Sequence, residues 1–284
     1  MGLISQRFGG PCWQFEVDNI TGTPGAAIPG TGVPSGSANG DGANANVISA
    51  LAADVCYVVL AISDIVTAAE DNSALMDILI DRAGGTSYSS LIDDLVCGFG
   101  GGGSGGTANP VHIYHFPLWI PAGASIGARC RKTGATATTA RLAMWLYGRP
   151  RNPDAWWCGQ GVESVGVVAA TSKGTAHTPG NSGAFSSFAT IGTTTRRFGS
   201  VQLGMQSGQS VQNALSYHWQ LGLGGAQIPG TPTVHESEST GEAMSRHGPS
   251  TPIWCDIPGG STLQTRATCS GTAQAHNVAA YGVY

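Results

Sequence analysis

The sequence predicts an all-β fold: two tandem antiparallel β-sandwiches of jelly-roll type, arising from an internal duplication. Three observations carry this. Short runs of β-branched and aromatic residues alternate with turns rich in Gly, Pro and Asn. No long 3.6-residue period runs through any part of the 284 residues. Finally, Ile120-Pro121-Ala122-Gly123-Ala124-Ser125-Ile126-Gly127-Ala128-Arg129 returns, without a gap, as Ile257-Pro258-Gly259-Gly260-Ser261-Thr262-Leu263-Gln264-Thr265-Arg266. Landmarks around the repeat keep their order at an offset near 140 residues: Gly84-Gly85 with Gly224-Gly225, Pro117-Leu118-Trp119 with Pro252-Ile253-Trp254, and Tyr147-Gly148 with Tyr281-Gly282. A period this long is a duplicated domain, because solenoid and propeller units run at roughly 20 to 50 residues.

Taken in order, residues 1–9 read as an N-terminal arm, 10–149 as the first copy and 150–284 as the second. Each copy is long enough to bury its own core. The first twenty residues lack the apolar run of a signal peptide and suit an arm that docks on a neighbouring subunit. Ser49–Ala53 and Ala68–Asp71 are each long enough for one turn of helix. Val55–Ile62 is too short and too β-prone to favour a helix. Met76, Ile78 and Ile80 alternate with Asp77, Leu79 and Asp81, which gives one apolar and one mixed face. Arg141–Tyr147 closes the first copy. The stretch from Gly148 to Asp154 holds two prolines and marks the boundary. In the second copy Tyr217, Trp219 and Leu221 alternate with His218, Gln220 and Gly222, and Val278–Tyr284 forms the closing strand.

The repeated segment has its own mechanism. Ile120-Pro121 and Ile257-Pro258 favour extended backbone, since proline fixes φ and restricts the residue before it. Gly123 and Gly260 then permit a tight turn. In the strand that follows, Ile126 and Leu263 face one way and Arg129 and Arg266 the other. Each arginine is expected to tie down neighbouring backbone carbonyls, with an intersubunit contact as the alternative.

Charged residues are 11 % of the chain and 41 % is apolar, against roughly 25 % charged in an average globular protein. A surface this poor in charge has weak protection against association. The net charge is −4, and neither half carries the basic stripe that nucleic-acid binding requires. No stretch approaches the roughly 20 apolar residues of a membrane-spanning helix. The seven cysteines include no Cys-x-x-Cys pair and are odd in number, which suits small apolar fillers in a reducing compartment.

Candidate chemistry is sparse. Ser104 sits in a formal Gly-x-Ser-x-Gly pattern, but within the polyglycine run Gly98–Gly106, where neither strand nor helix supports it. His112 and His115, three apart in a strand, point to opposite faces. His235, Glu236 and Glu238 lie in a segment read as a loop, and Asp77, Asp81, Asp93 and Asp94 are scattered over extended chain. No position of catalytic type in one copy is matched in the other. The expectation is therefore no enzyme, no cofactor and no metal. Trp119 and Trp254 are equivalent, as are Trp13 and one of Trp156 or Trp157, so these rings are expected in sandwich cores or between copies. Trp156 and Trp157 are the candidates for contact with a partner or a glycan.

The run Phe116-Pro117-Leu118-Trp119-Ile120-Pro121-Ala122-Gly123, continuing through Arg129-Cys130 to Leu146-Tyr147-Gly148, resembles modules of tailed-bacteriophage virion proteins from the tail or the head surface. In the second copy Cys255-Asp256 adds spacing after Trp254. The resemblance covers about 35 residues of the first copy. It implies a jelly-roll-like sandwich, homo-oligomeric assembly with other virion proteins, no cofactor and no catalytic residues. The expectation is a non-enzymatic virion component, a tail fibre, baseplate or adaptor part or a capsid decoration protein, assembled in the host cytoplasm. The alternative is a carbohydrate-binding adhesin that attaches to host-surface glycans.

Overall fold

The structure, a computed structural model, describes residues 30–36, 39–63, 74–97, 111–132, 139–148, 157–167, 174–207, 215–228, 233–237, 252–272 and 275–284. Among these residues there are eighteen strands and no helix. Residues 1–29, the boundary residues 149–156, the Gly98–Gly106 run with Ser104, and Trp13 and Trp156 lie outside the described residues.

The first half contributes β1 (Thr31–Pro34), β2 (Ala45–Ile48), β3 (Val55–Ser63), β4 (Ala74–Asp81), β5 (Ser89–Val96), β6 (Val111–Phe116), β7 (Ser125–Lys132) and β8 (Thr139–Gly148). They form two sheets, ordered β1-β8-β3-β6 and β2-β7-β4-β5. This is the wiring of an eight-stranded jelly roll, in which long connections carry the chain back and forth between two sheets.

The second half contributes β9 (Val162–Val165), β10 (Thr175–His177), β11 (Ala189–Thr193), β12 (Phe198–Ser207), β13 (Leu215–Leu223), β14 (Ala226–Gln227), β15 (Thr233–Ser237), β16 (Ile253–Ile257), β17 (Thr262–Cys269) and β18 (His276–Val283). Its sheets run β9-β18-β12-β16 and β11-β17-β13-β15, with β10 and β14 as additions. Strand for strand the order repeats that of the first half. The duplication read from landmark residues is thus a duplication of topology.

Local chemistry explains the shared details. Gly123 and Gly260 sit at φ of 82° and 80°, a left-handed conformation that costs any residue with a Cβ about 1–2 kcal/mol. Gly84 and Gly224, at φ of 79° and 58°, turn the chain after β4 and β13. Where a helical turn was expected at Ser49–Ala53, the chain makes bends. Leu51 accounts for this: it is buried, with its N–H donating to the Ala124 carbonyl at 2.8 Å and its carbonyl accepting from the Gly123 N–H at 2.8 Å. Those groups would be consumed differently in a helix.

The two cores are not separate. Sheet β2-β7-β4-β5 continues edge to edge into β9-β18-β12-β16, with β5 and β9 parallel and Ile92 opposite Val162. The first core therefore includes Val162, Ala279, Tyr281 and Val283, whereas Val278 and Ala280 point into the second. Tyr281 is fully buried at this seam. Its hydroxyl donates to the Asp94 carbonyl at 2.9 Å and accepts from the Val96 N–H at 2.8 Å. Its ring stands edge-on to Tyr114, with centroids 5.4 Å apart, and Tyr114 donates to the Val96 carbonyl. Further along, the Gln202 amide oxygen accepts from His115 N–H, and Trp119 N–H donates to the Gly159 carbonyl at 2.9 Å.

Candidate functional site

The repeated arginines act alike, but not as the sequence suggested. Strand register puts Asp77 opposite Arg129 and Gln220 opposite Arg266. Arg129 Nε donates to Asp77 Oδ2 and Arg266 Nε to Gln220 Oε1, each at 2.7 Å. The partners are cross-strand side chains rather than backbone carbonyls, because the register supplies an acceptor at the right height in both copies. Arg266 also lies over the rings of Phe185 and Phe188, 5.0 and 4.5 Å from their centroids. Ile126 and Leu263 fill the two cores on the opposite face, and Ile120 and Ile257 are buried with them.

The aspartates serve the same framework. Asp77 is 3 % exposed; burial raises its carboxyl above the usual range even though Arg129 and Arg131 oppose this. Asp94, at a positive φ of 59°, donates its N–H to Asp77 Oδ1 and pairs with Arg131. Asp81 accepts from the N–H groups of Ala83 and Ser87 and shapes the turn after β4. Asp93 accepts from Ser90. Among the described residues no group of His, Cys, Asp and Glu has the arrangement of a metal site. His235 and Glu236 fall on strand β15 instead of in a loop; Glu238 lies outside the described residues. His112 is buried and His115 half-buried beside Tyr57, on opposite faces of β6.

The tryptophans separate in a way the repeat did not foretell. Trp219 is fully buried in the second core, and Trp119 is half-buried with Arg82 over its ring. Its equivalent, Trp254, is 44 % exposed, and Trp157 is 42 % exposed. These two rings meet edge to face, centroids 6.2 Å apart, in a cleft of about 480 Å³ that is also lined by Arg197, Gly199, Cys255, Asp256 and Tyr284.

The cleft grows out of the extra spacing in the second copy. Phe198 pairs with Ile257 and Ser200 with Trp254, so Cys255 and Asp256 bulge opposite the single residue Gly199. That bulge aims Asp256 at Arg197, which grips it with two bonds of 2.6 Å. The guanidinium holds the Asp256 carboxyl below its usual range. Gly199 is bare because a Cβ there would lie 2.6 Å from the Trp157 ring. Burial, reinforced by Asp256, pushes the Cys255 thiol up to about 12, so it stays protonated. The result is a corner of two aromatic faces beside a neutralised pair of charged groups. Such a corner can stack on a flat apolar surface while offering donors and acceptors at its rim. The insertion at Cys255-Asp256 was visible in the sequence; the pairing of Trp157 with Trp254 was not.

No family model and no curated protein matches the chain. Solved structures give distant likenesses. The CBM22-1–CBM22-2 tandem domain from Paenibacillus barcinonensis is 10 % identical with a TM-score of 0.29, covering 89 % of this chain and 86 % of that one. The glycosylasparaginase PNGase F from Flavobacterium meningosepticum is 7 % identical with a TM-score of 0.34, covering 85 % and 88 %. An infectious bursal disease virus structure is 10 % identical with a TM-score of 0.20, covering 82 % of this chain and 58 % of that one. Likenesses this distant leave function to the residues themselves.

Proposed function

We propose that this chain is a non-enzymatic structural component of a tailed-bacteriophage virion, a tail part or a capsid decoration protein. The observation that carries the reading is the weld between the two jelly rolls. Two domains that only bind ligands can hang on a flexible linker. Here a continuous sheet and a shared core hold the second copy at one fixed angle to the first. Fixed geometry between duplicated surfaces is what a repeating assembly needs from its building block. The charge content of 11 % fits a surface meant to be covered. The test is cryo-electron microscopy of intact particles that contain the protein. Density of two abutting jelly rolls on the shell or along the tail is the expected result, and absence from purified particles would overturn the proposal.

A second reading, a carbohydrate-binding adhesin, is favoured by the exposed Trp157–Trp254 corner with its Arg197–Asp256 rim. A glycan array probed with the chain and with Trp157→Ala and Trp254→Ala tests it. Binding that both substitutions abolish would support it, and no binding at any glycan would sink it.

A further inference from the structure

The two copies serve as controls for one another at the Trp157–Trp254 cleft, because several of its features are confined to the second. Val55 pairs with Ile120 as Phe198 pairs with Ile257, so register aligns Cys56 with Gly199 and Asp54 with Arg197. Asp54 turns back to accept the Ala122 N–H at 2.8 Å, whereas Arg197 reaches out to Asp256 in the inserted pair. Trp119 carries the Arg82 guanidinium over its ring, 5.7 Å from the centroid. Trp254 instead turns an exposed ring toward Trp157. Gly199 lies within β12 without the left-handed backbone that would itself require glycine, and what it provides is room for the Trp157 ring. The first copy makes the same jelly roll with none of these features, so the fold does not require them.

The chemistry of the cleft selects a class of ligand. The two indoles stand at 82° to one another, so a ring-shaped molecule can lie flat on one while its edge meets the other. Arg197 and Asp256 are 73 % and 66 % exposed, so their pair contributes little to stability and faces outward. Arg197 spends Nε and one Nη on Asp256. Its other Nη still has N–H groups to donate, and each carboxylate oxygen keeps a lone pair. Two adjacent hydroxyls meet both needs at once, one donating to the carboxylate and its neighbour accepting from the guanidinium. An acidic ligand finds the fork occupied and Asp256 repelling it. A cationic one meets Arg197 and also Arg196, whose guanidinium already sits 4.3 Å from the Tyr284 ring centroid at the cleft wall.

We propose that this cleft binds an uncharged pyranose, with the sugar's C–H face on one indole and two vicinal hydroxyls on the Arg197–Asp256 pair. This rests on the adhesin reading and gives it a ligand class and a site in the second copy. Polarised C–H bonds on a sugar face sit well against the negative face of an aromatic ring. The bulge positions the hydroxyl-binding pair, and Gly199 lets Trp157 lie close enough to complete the corner.

An array of neutral oligosaccharides and their sialylated or uronate-bearing counterparts tests it, probed with the full chain at low and at high salt. Neutral glycans should bind, acidic ones should not, and added salt should leave the binding unchanged. Trp157→Ala and Trp254→Ala should each weaken it about tenfold or more. Gly199→Ala removes no group that faces the sugar; its Cβ displaces the Trp157 ring, and a loss of about fivefold is expected. Asp256→Ala is the decisive variant, because it hands the Arg197 fork to a carboxylate. It should lose neutral glycans and gain acidic ones. Far-ultraviolet circular dichroism shows which variants fold, and the exposed Asp256 keeps the test decisive even where Gly199→Ala does not. Neutral binding that survives these substitutions, or an Asp256→Ala preference that does not move toward acidic glycans, would overturn this site and leave the adhesin reading standing. So would wild-type binding confined to acidic glycans. A chain that binds no glycan at all would sink both.

Discussion

Removing one oxygen atom at the seam, in Tyr281→Phe, isolates what the weld contributes. The hydroxyl donates to the Asp94 carbonyl and accepts from the Val96 N–H, at 2.9 and 2.8 Å, and the residue is fully buried. Phenylalanine fills nearly the same space, so no cavity term enters. What remains is a buried N–H without its acceptor, a penalty of about 1–3 kcal/mol. The Asp94 carbonyl loses a donor too, although its second lone pair softens that loss. The expected destabilisation is about 2–3 kcal/mol, close to the upper end of that range. Tyr147→Phe is the matched control: the residue is equivalent by sequence but half-buried, so water can replace what its hydroxyl loses and about 0.5 kcal/mol or less is expected. Urea denaturation followed by both far- and near-ultraviolet circular dichroism gives the two values, and hydrogen exchange at the Val96 amide shows the site directly. Equal effects from the two substitutions would refute the argument, because the seam would then be no more than a surface.

Two further outcomes follow from buried charge. Complete burial lowers the pKa of His112 from 6.5 to about 4, so the unfolded chain takes up a proton as pH falls through 6.5 while the folded chain does not until about 4. Stability from this group is present above pH 6.5 and lost on the way down to 4, by roughly 3 kcal/mol at 1.36 kcal/mol per pH unit; the denaturation midpoint should fall over that window, and His112→Gln should flatten the profile. Arg129→Met should cost about 2–3 kcal/mol, because it strands the buried Asp77 carboxylate. Arg266→Met, whose partner is the neutral Gln220, should cost about 1 kcal/mol. Thermal melts of both variants check this, and reversal of their order would disprove it.

Much of the fold was legible because its signals are local. Val55–Ile62 and the alternation at Tyr217, Trp219 and Leu221 fall on β3 and β13, and the paired glycines 123 and 260 share one backbone conformation. The weld was not legible, since the Tyr281 hydroxyl reaches residues 185 and 187 positions away, and nothing near it in sequence announces them. One signal was available. Val278-Ala279-Ala280-Tyr281 is apolar at every position, which marks a strand buried on both faces rather than one. The arginines illustrate a middle case: their direction followed from strand periodicity, but their acceptors depended on register, which periodicity does not fix. The cleft was hidden for another reason. Trp157 and Trp254 are nearly a hundred residues apart, and they meet beside the bulge at Cys255-Asp256 opposite Gly199, a cross-strand feature that local sequence does not announce.

The shared core also sets a timetable for synthesis. The first jelly roll ends its last strand at Gly148, yet its interior is completed by Ala279, Tyr281 and Val283. At about 5–20 residues per second, a ribosome takes roughly 7–27 s to travel from one to the other. During that interval the first half waits with the Val96 edge and the flank of Tyr114 uncovered. Nascent chains on the same message would meet one another in this state, so overproduction in a slow-translating host should favour inclusion bodies, and faster elongation through the second half should relieve them.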